Sequence, residues 1–159
     1  RSGKTYFIYQ DMLTRLNQGI PLSRLLYLNF EDDRLLPLDA LKLAEMLEGF
    51  FTLHPENHDM KCYLYLDEIQ NVPGWPNVIR RFHDTKNVEI FLTGSSAKLF
   101  SKEIATTLRG RSISTEIWPY NLNEFMIANS NIIKRNSPGK KSLDQLMQVF
   151  NQYLSHGGF

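Results

Sequence analysis

The sequence contains a single cysteine, Cys62, so no disulfide can form within it. That usage suits a reducing compartment. Charge of one dominant sign is also lacking: 18 lysines and arginines stand against 17 aspartates and glutamates, a net charge of +1. A dedicated nucleic-acid module normally carries a marked basic excess, so that class is disfavoured and only a local basic patch is left open. No apolar run reaches membrane-spanning length and no signal peptide is visible, so a cytoplasmic chain with no membrane contact is expected. There is no internal repeat. His54, His58, His83 and His156 share no metal-ligand spacing with one another or with Cys62, and all four are read as non-ligands. What remains is an ordinary globular composition in 159 residues. That is the size of one domain with a real core.

Periodicity organises the chain. Residues 3–18, "GKTYFIYQDMLTRLNQ", have helical spacing, with Phe7, Ile8, Met12, Leu13 and Leu16 to one side and Gly19 to end the helix. Residues 24–30, "RLLYLNF", read as a buried strand, and 38–53 as a helix. "CYLYLD" at 62–67 reads as a second strand. A turn cluster, "NVPGWP", and a short helix follow it. "VEIFLT" at 88–93 reads as a third strand, then come "GSS" and a helix through "KEIATTL". "SISTEIW" at 112–118 alternates enough for a fourth strand, and "YNLNEFMIA" starts another helix. Residues 129–142 are basic and polar with a Pro-Gly pair, an exposed loop. Residues 143–154 form an amphipathic helix. Strands alternating with helices predict an α/β fold, a mostly parallel sheet with helices on both faces. In such sheets ligands sit at the carboxyl ends of the strands.

The opening "RSGKT" matches the second half of a phosphate-binding loop, G-x-x-x-x-G-K-[ST] (Walker A). The first glycine and its feeding strand would then lie upstream of residue 1. Gly3 would permit the tight turn, Lys4 would reach the β- and γ-phosphates, and the Thr5 hydroxyl would ligate Mg²⁺. Alone, "GKT" is a common tripeptide and an ordinary glycine at a helix start explains it. "CYLYLDEIQ" changes the balance, because an apolar strand ending in Asp67 and Glu68 is the second signature (Walker B) of phosphate-loop ATPases. The aspartate orients Mg²⁺ and the glutamate polarises the attacking water as general base.

"IFLTGSS" would place a polar sensor beside the γ-phosphate. Thr93, which ends the apolar run, is the first candidate, and Ser95 and Ser96 are the alternatives. "LRGRS" offers Arg111 and Arg109, either of which would stabilise transition-state charge in trans if subunits assemble. The competing reading for both is a surface arginine paired with an acid. Glu31, Asp32 and Asp33 read as a solvated turn, Trp75 as a core residue, and "KRNSPGKK" as a solvated loop.

Together, "RSGKT", "YLNFEDDRL", "YLDEIQNVPGW", "FLTGSSAKLFSKEIATTLRGRSISTEIWPYNLNEF" and "YLSHGGF" resemble the AAA+-superfamily ATPases of bacteria and archaea in which an ATPase domain precedes a nuclease-like C-terminal domain. The resemblance implies a three-layer P-loop NTPase fold of the ASCE type, with strand order 5-1-4-3-2 and the first strand absent from this sequence. In that order Glu31–Asp33 would lie three strands, roughly 14 Å, from the phosphate loop. It implies ATP and Mg²⁺ as ligands at Gly3, Lys4, Thr5, Asp67 and Glu68, a sensor at Thr93 or Ser95, and Arg109 or Arg111 at a subunit interface built on the "LRGR" segment. It divides the chain into an N-terminally truncated ATPase core, 1–128, and a linker with the start of a C-terminal helical region, 129–159. DNA or RNA as a partner rests on the resemblance alone.

Three functions compete at this level. The first is Mg-dependent ATP hydrolysis that drives movement of attached domains, supported by Glu68. The second is a nucleotide-dependent switch with negligible turnover. The third is a P-loop kinase, which needs an arginine-rich lid and has no candidate here beyond "LRGRS".

Overall fold

The computed structural model describes residues 3–94, 106–108, 110–128 and 140–157. It divides into two compact units: residues 5–115, and residues 116–159 together with the first four.

The first unit is α/β. Its elements run α1 (Lys4–Asn17), β1 (Leu25–Asn29), α2 (Ala40–Leu53), β2 (Cys62–Asp67), α3 (Trp75–Thr85) and β3 (Val88–Leu92). The three strands form one parallel sheet in the order β1-β2-β3, as the alternation of strands with helices predicts. Central β2 is buried along its whole length, which is why "CYLYLD" shows no polar residue before Asp67.

Side chains alternate across the pleat, so the sheet has two unlike faces. Leu26, Leu28, Leu64, Leu66, Ile90 and Leu92 belong to the main core, with Leu43, Leu47 and Phe51 of α2 and Val78, Ile79 and Phe82 of α3. The opposite face carries Tyr27, Tyr63, Tyr65 and Phe91, which cluster with Ile8 and Met12 of α1. Local signals start the helices. Asp39 caps α2 by accepting from the Lys42 N–H at 2.7 Å. Gly74, at φ +75°, turns the chain into α3.

Two expectations are corrected. The inward face of α1 is not its apolar stripe. Ile8 and Met12 pack on the sheet, but Phe7, Leu13 and Leu16 are exposed. Inward-facing residues are instead Thr5, Ile8, Asp11, Met12 and Arg15, because tyrosine hydroxyls and Glu89 on that sheet face offer polar partners to the helix. The fourth strand at 112–118 is absent: these residues pair with no strand, and Ile113 and Trp118 are exposed. Alternation of side chains is not enough for a strand without a ladder partner. The helix expected through "KEIATTL" lies mostly outside the described residues.

The second unit contains α4 (Leu122–Ala128) and α5 (Lys140–His156). Asn121 and Glu124 form a capping box at the start of α4, with N–H bonds of 3.0 and 2.9 Å exchanged between them. Phe125 meets Tyr153 edge to face at 5.5 Å. Among the described residues no helix is long and apolar enough to cross a membrane.

Candidate functional site

Three segments far apart in sequence meet at the carboxyl end of the sheet. Asp67 ends β2 and is 2% exposed. A carboxylate so deeply buried is costly unless its oxygens are bonded. Here three hydroxyls supply donors. Thr5, on the first turn of α1, donates to Asp67 Oδ2 at 2.8 Å. Tyr27 of β1 donates to the same oxygen at 3.1 Å. Thr93, just past β3, donates to Oδ1.

Thr93 also joins the Asp67 carboxylate to the backbone of Glu68. Its hydroxyl accepts the Glu68 N–H at 3.2 Å, and its carbonyl accepts the Ile69 N–H at 3.1 Å. Glu68 sits at φ 55°, in the left-handed region, where a side chain costs about 1–2 kcal/mol. It is the only such non-glycine among the described residues. Strain of this kind persists where surrounding contacts over-determine the backbone, and it clusters at functional sites. The Gln70 amide donates to Glu68 Oε2 at 2.5 Å, which orients the carboxylate.

The GKT segment opens α1. Gly3 at φ +87° makes the turn into the helix, a conformation that disfavours any residue with a Cβ. Lys4 is the first residue of a 14-residue helix. The N–H groups of its first turn have no intrahelical partner, and the helix dipole adds positive potential there. Pins between α1 and the sheet hold Thr5 over Asp67. Arg15 bonds Asp11 at 2.7 Å and Glu89 at 3.0 Å, with its guanidinium 3.9 Å from the Tyr63 ring centre. The Tyr65 hydroxyl donates to Asp11 at 2.6 Å. Burial, and then the negative charge of Asp11, push the Tyr65 phenol above its ordinary range, so it remains a neutral donor.

The donor set is hard oxygen: one hydroxyl and one carboxylate. A hydroxyl that donates its proton to Asp67 keeps lone pairs for a cation. Mg²⁺ favours such sites, with one or two protein oxygens and the remaining positions taken by water and phosphate. Among the described residues no group of three or more His, Cys, Asp or Glu gathers at metal-binding distance. An open groove of about 540 Å³, bounded by Arg34, Pro37, Lys42 and Met46 among others, involves none of these site residues.

The structure therefore brings together Thr5, Asp67, Glu68 and Thr93, with Gly3 and Lys4 leading into the same helix. It places Arg111 elsewhere. Arg111 bonds Asp84 at 2.9 Å, near the end of α3 that feeds the N-terminal end of β3. That bond, followed by one from His83, holds the Asp84 carboxyl below its usual range. Ser95 and Arg109 lie outside the described residues. Tyr27 and Gln70 were not singled out by the motifs. A signal for Tyr27 existed: with period two, Tyr27 and Asn29 share a face, and across the ladder Asn29 pairs with Asp67.

The family profile described as an AAA domain matches residues 1–126. An uncharacterized protein of Methanocaldococcus jannaschii is 39% identical over the whole chain, which covers 33% of that protein. One of Haemophilus influenzae is 33% identical, again over the whole chain and 37% of its own length. A second M. jannaschii protein, also uncharacterized, is 31% identical over 69% of the chain. The chain thus spans about a third of the length of the first two relatives. No solved structure gives a significant match. With an α/β sheet whose strand ends gather the two carboxylates against a GKT helix, and with the profile covering most of its length, the chain belongs to the AAA domain family.

Proposed function

We propose that this domain binds ATP with Mg²⁺ and hydrolyses it, and that the nucleotide state moves the domains attached to it. The observation that carries the reading is the 2.8 Å bond from Thr5 to Asp67. It joins the end of the GKT motif to the first acid of the DE pair across 62 positions of sequence.

In this reading Lys4 and the free N–H groups of α1 bind the β- and γ-phosphates. Thr5 and Asp67 hold the metal, which supplies positive charge to the phosphate oxygens. Glu68 takes the proton of the attacking water as the γ-phosphoryl group leaves ADP. Thr93 bonds both the Asp67 carboxylate and the Glu68 N–H, so it relays the state of Asp67 to the backbone of Glu68. Ser95 is a further sensor candidate and Arg109 a further phosphate contact, both on sequence grounds. Arg111 would act in trans, on a neighbouring copy, after exchanging Asp84 for phosphate. We also propose that β1, β2 and β3 correspond to strands 2, 3 and 4 of the order 5-1-4-3-2; residues 112–118, the candidate for its strand 5, form no strand here. The division at residue 128 is likewise a proposal, with an ATPase core before it and a linking helical region after it.

A second reading, a nucleotide switch with negligible turnover, is favoured by one contact: Gln70 already occupies a Glu68 carboxylate oxygen. The test uses the full-length protein and measures ATP binding with Mg²⁺ beside steady-state turnover. Lys4→Ala should weaken binding at least about tenfold. Glu68→Gln should still bind ATP while turnover falls by about 100-fold or more. Absence of ATP binding by the wild type refutes both readings. A slow turnover unchanged by Glu68→Gln leaves only the switch.

A further inference from the structure

We propose that Tyr27 is a positioning residue for the metal-holding carboxylate, and that it acts by fixing Asp67 Oδ2. The proposal rests on the reading of Thr5 and Asp67 as the Mg²⁺ ligands.

Its geometry follows from the sheet. Across the β1–β2 ladder Tyr27 pairs with Tyr65, and Asn29 pairs with Asp67. Asn29 is nearest Asp67 along the ladder, but its side chain accepts the Glu31 N–H at 3.0 Å and closes its own turn. Tyr27 stands one diagonal step back on the same face. Diagonal neighbours in a sheet lie about 7–8 Å apart, a gap that aromatic side chains span. The phenol crosses it and donates to Asp67 Oδ2 at 3.1 Å.

The direction of that bond is set from behind. The Tyr9 hydroxyl, on α1, donates to the Tyr27 oxygen at 3.2 Å, with the two rings edge to face at 5.4 Å. A phenol that already accepts one hydrogen bond turns its single proton elsewhere, and a chain of such bonds strengthens each member. Thr5 and Tyr27 therefore share Oδ2 while Thr93 takes Oδ1. Thr5 has a second task at the metal; Tyr27 does not. Tyr27 is thus the donor on Oδ2 free to hold that oxygen whatever Thr5 ligates. Partners of this kind behind metal ligands change affinity by 10–100-fold in well-studied sites.

The test is a MgCl₂ titration of ATP binding by the full-length protein, with ATP binding in EDTA as reference. Tyr27→Phe removes only the hydroxyl. The expected result is a Mg²⁺ half-saturation raised about three- to tenfold, below the usual range because Thr5 still bonds Oδ2. Binding in EDTA should be unchanged. Tyr9→Phe, which leaves the Tyr27–Asp67 bond intact, should give a smaller shift in the same direction. An unaltered Mg²⁺ midpoint in folded Tyr27→Phe overturns the proposal, because the phenol would then be only a satisfied core hydroxyl. So does a loss of binding equal in EDTA and in Mg²⁺, the mark of a structural role. If the wild type shows no Mg²⁺-dependent binding, the metal reading itself fails, and that outcome is seen before any variant is made.

Discussion

Replacing Thr93 with valine keeps the shape of the side chain and deletes one hydroxyl. That hydroxyl makes two bonds in the structure: it donates to Asp67 Oδ1 and accepts the Glu68 N–H. Thr93 is 9% exposed, so water does not readily replace either partner. A hydrogen bond to a charged group is worth about 1.5–3 kcal/mol, and one between neutral groups about 0.5–1.5 kcal/mol. The two together give a loss of about 2–4 kcal/mol for Thr93→Val. The freed Glu68 N–H belongs to a residue in the left-handed region, so the same change loosens the turn that aims the Glu68 carboxylate. The assay is urea unfolding followed by fluorescence of Trp75, which is buried in the main core. With a slope of about 2 kcal/mol per M, the midpoint should fall by about 1–2 M. Thr93→Ser keeps the hydroxyl and should lose less than about 1 kcal/mol. If Thr93→Val loses under about 1 kcal/mol, or Thr93→Ser loses as much, the hydroxyl does not tie Asp67 to the Glu68 backbone.

Two further outcomes follow from other contacts. Burial raises the Glu89 carboxyl, but the bond from Lys61 and the charge of Arg15 outweigh it and hold the group below its ordinary value of 4.5. Its folded pKa is depressed, so its stabilising effect is present above about pH 4.5 and fades as pH falls through the folded value. Glu89→Gln should therefore melt lower than the wild type near pH 7, and the two melting temperatures should converge as pH falls through the folded value. A gap that is constant with pH contradicts the pairing. Gly74→Ala should lower stability by about 1–3 kcal/mol in the same urea assay, because φ is +75° and the new Cβ would meet the Ala40 Cβ at 3.2 Å. A neutral result would show that the turn into α3 relaxes freely.

Much of this domain was legible in its residues. Short, largely apolar runs at 24–30, 62–67 and 88–93 mark strands, and the run at 62–67 is buried along its whole length because it is central in the parallel sheet. "GKT" and "DE" were legible as residues of one strand-end cluster, and Thr5 does bond Asp67 there. The apolar stripe of α1 misleads, because periodicity reports which side of a helix is greasy and not which side finds partners. Asp11 and Arg15 turn inward toward Tyr65 and Glu89, and Phe7 and Leu13 turn out. "SISTEIW" misleads for a related reason, since a strand is made by its neighbour's ladder and local pattern cannot supply one.

By itself, then, the sequence determined three parallel strands, a GKT helix and two acids at a strand end. Tertiary structure alone decided the partners of those acids. The approach of α1 and β1 to the end of β2 puts Thr5 and Tyr27 on Asp67. The return of β3 beside β2 puts Thr93 between Asp67 and Glu68. Sequence spacing fixes only contacts within an element, whereas a buried carboxylate takes its hydrogen bonds from whatever the packed sheet sets beside it.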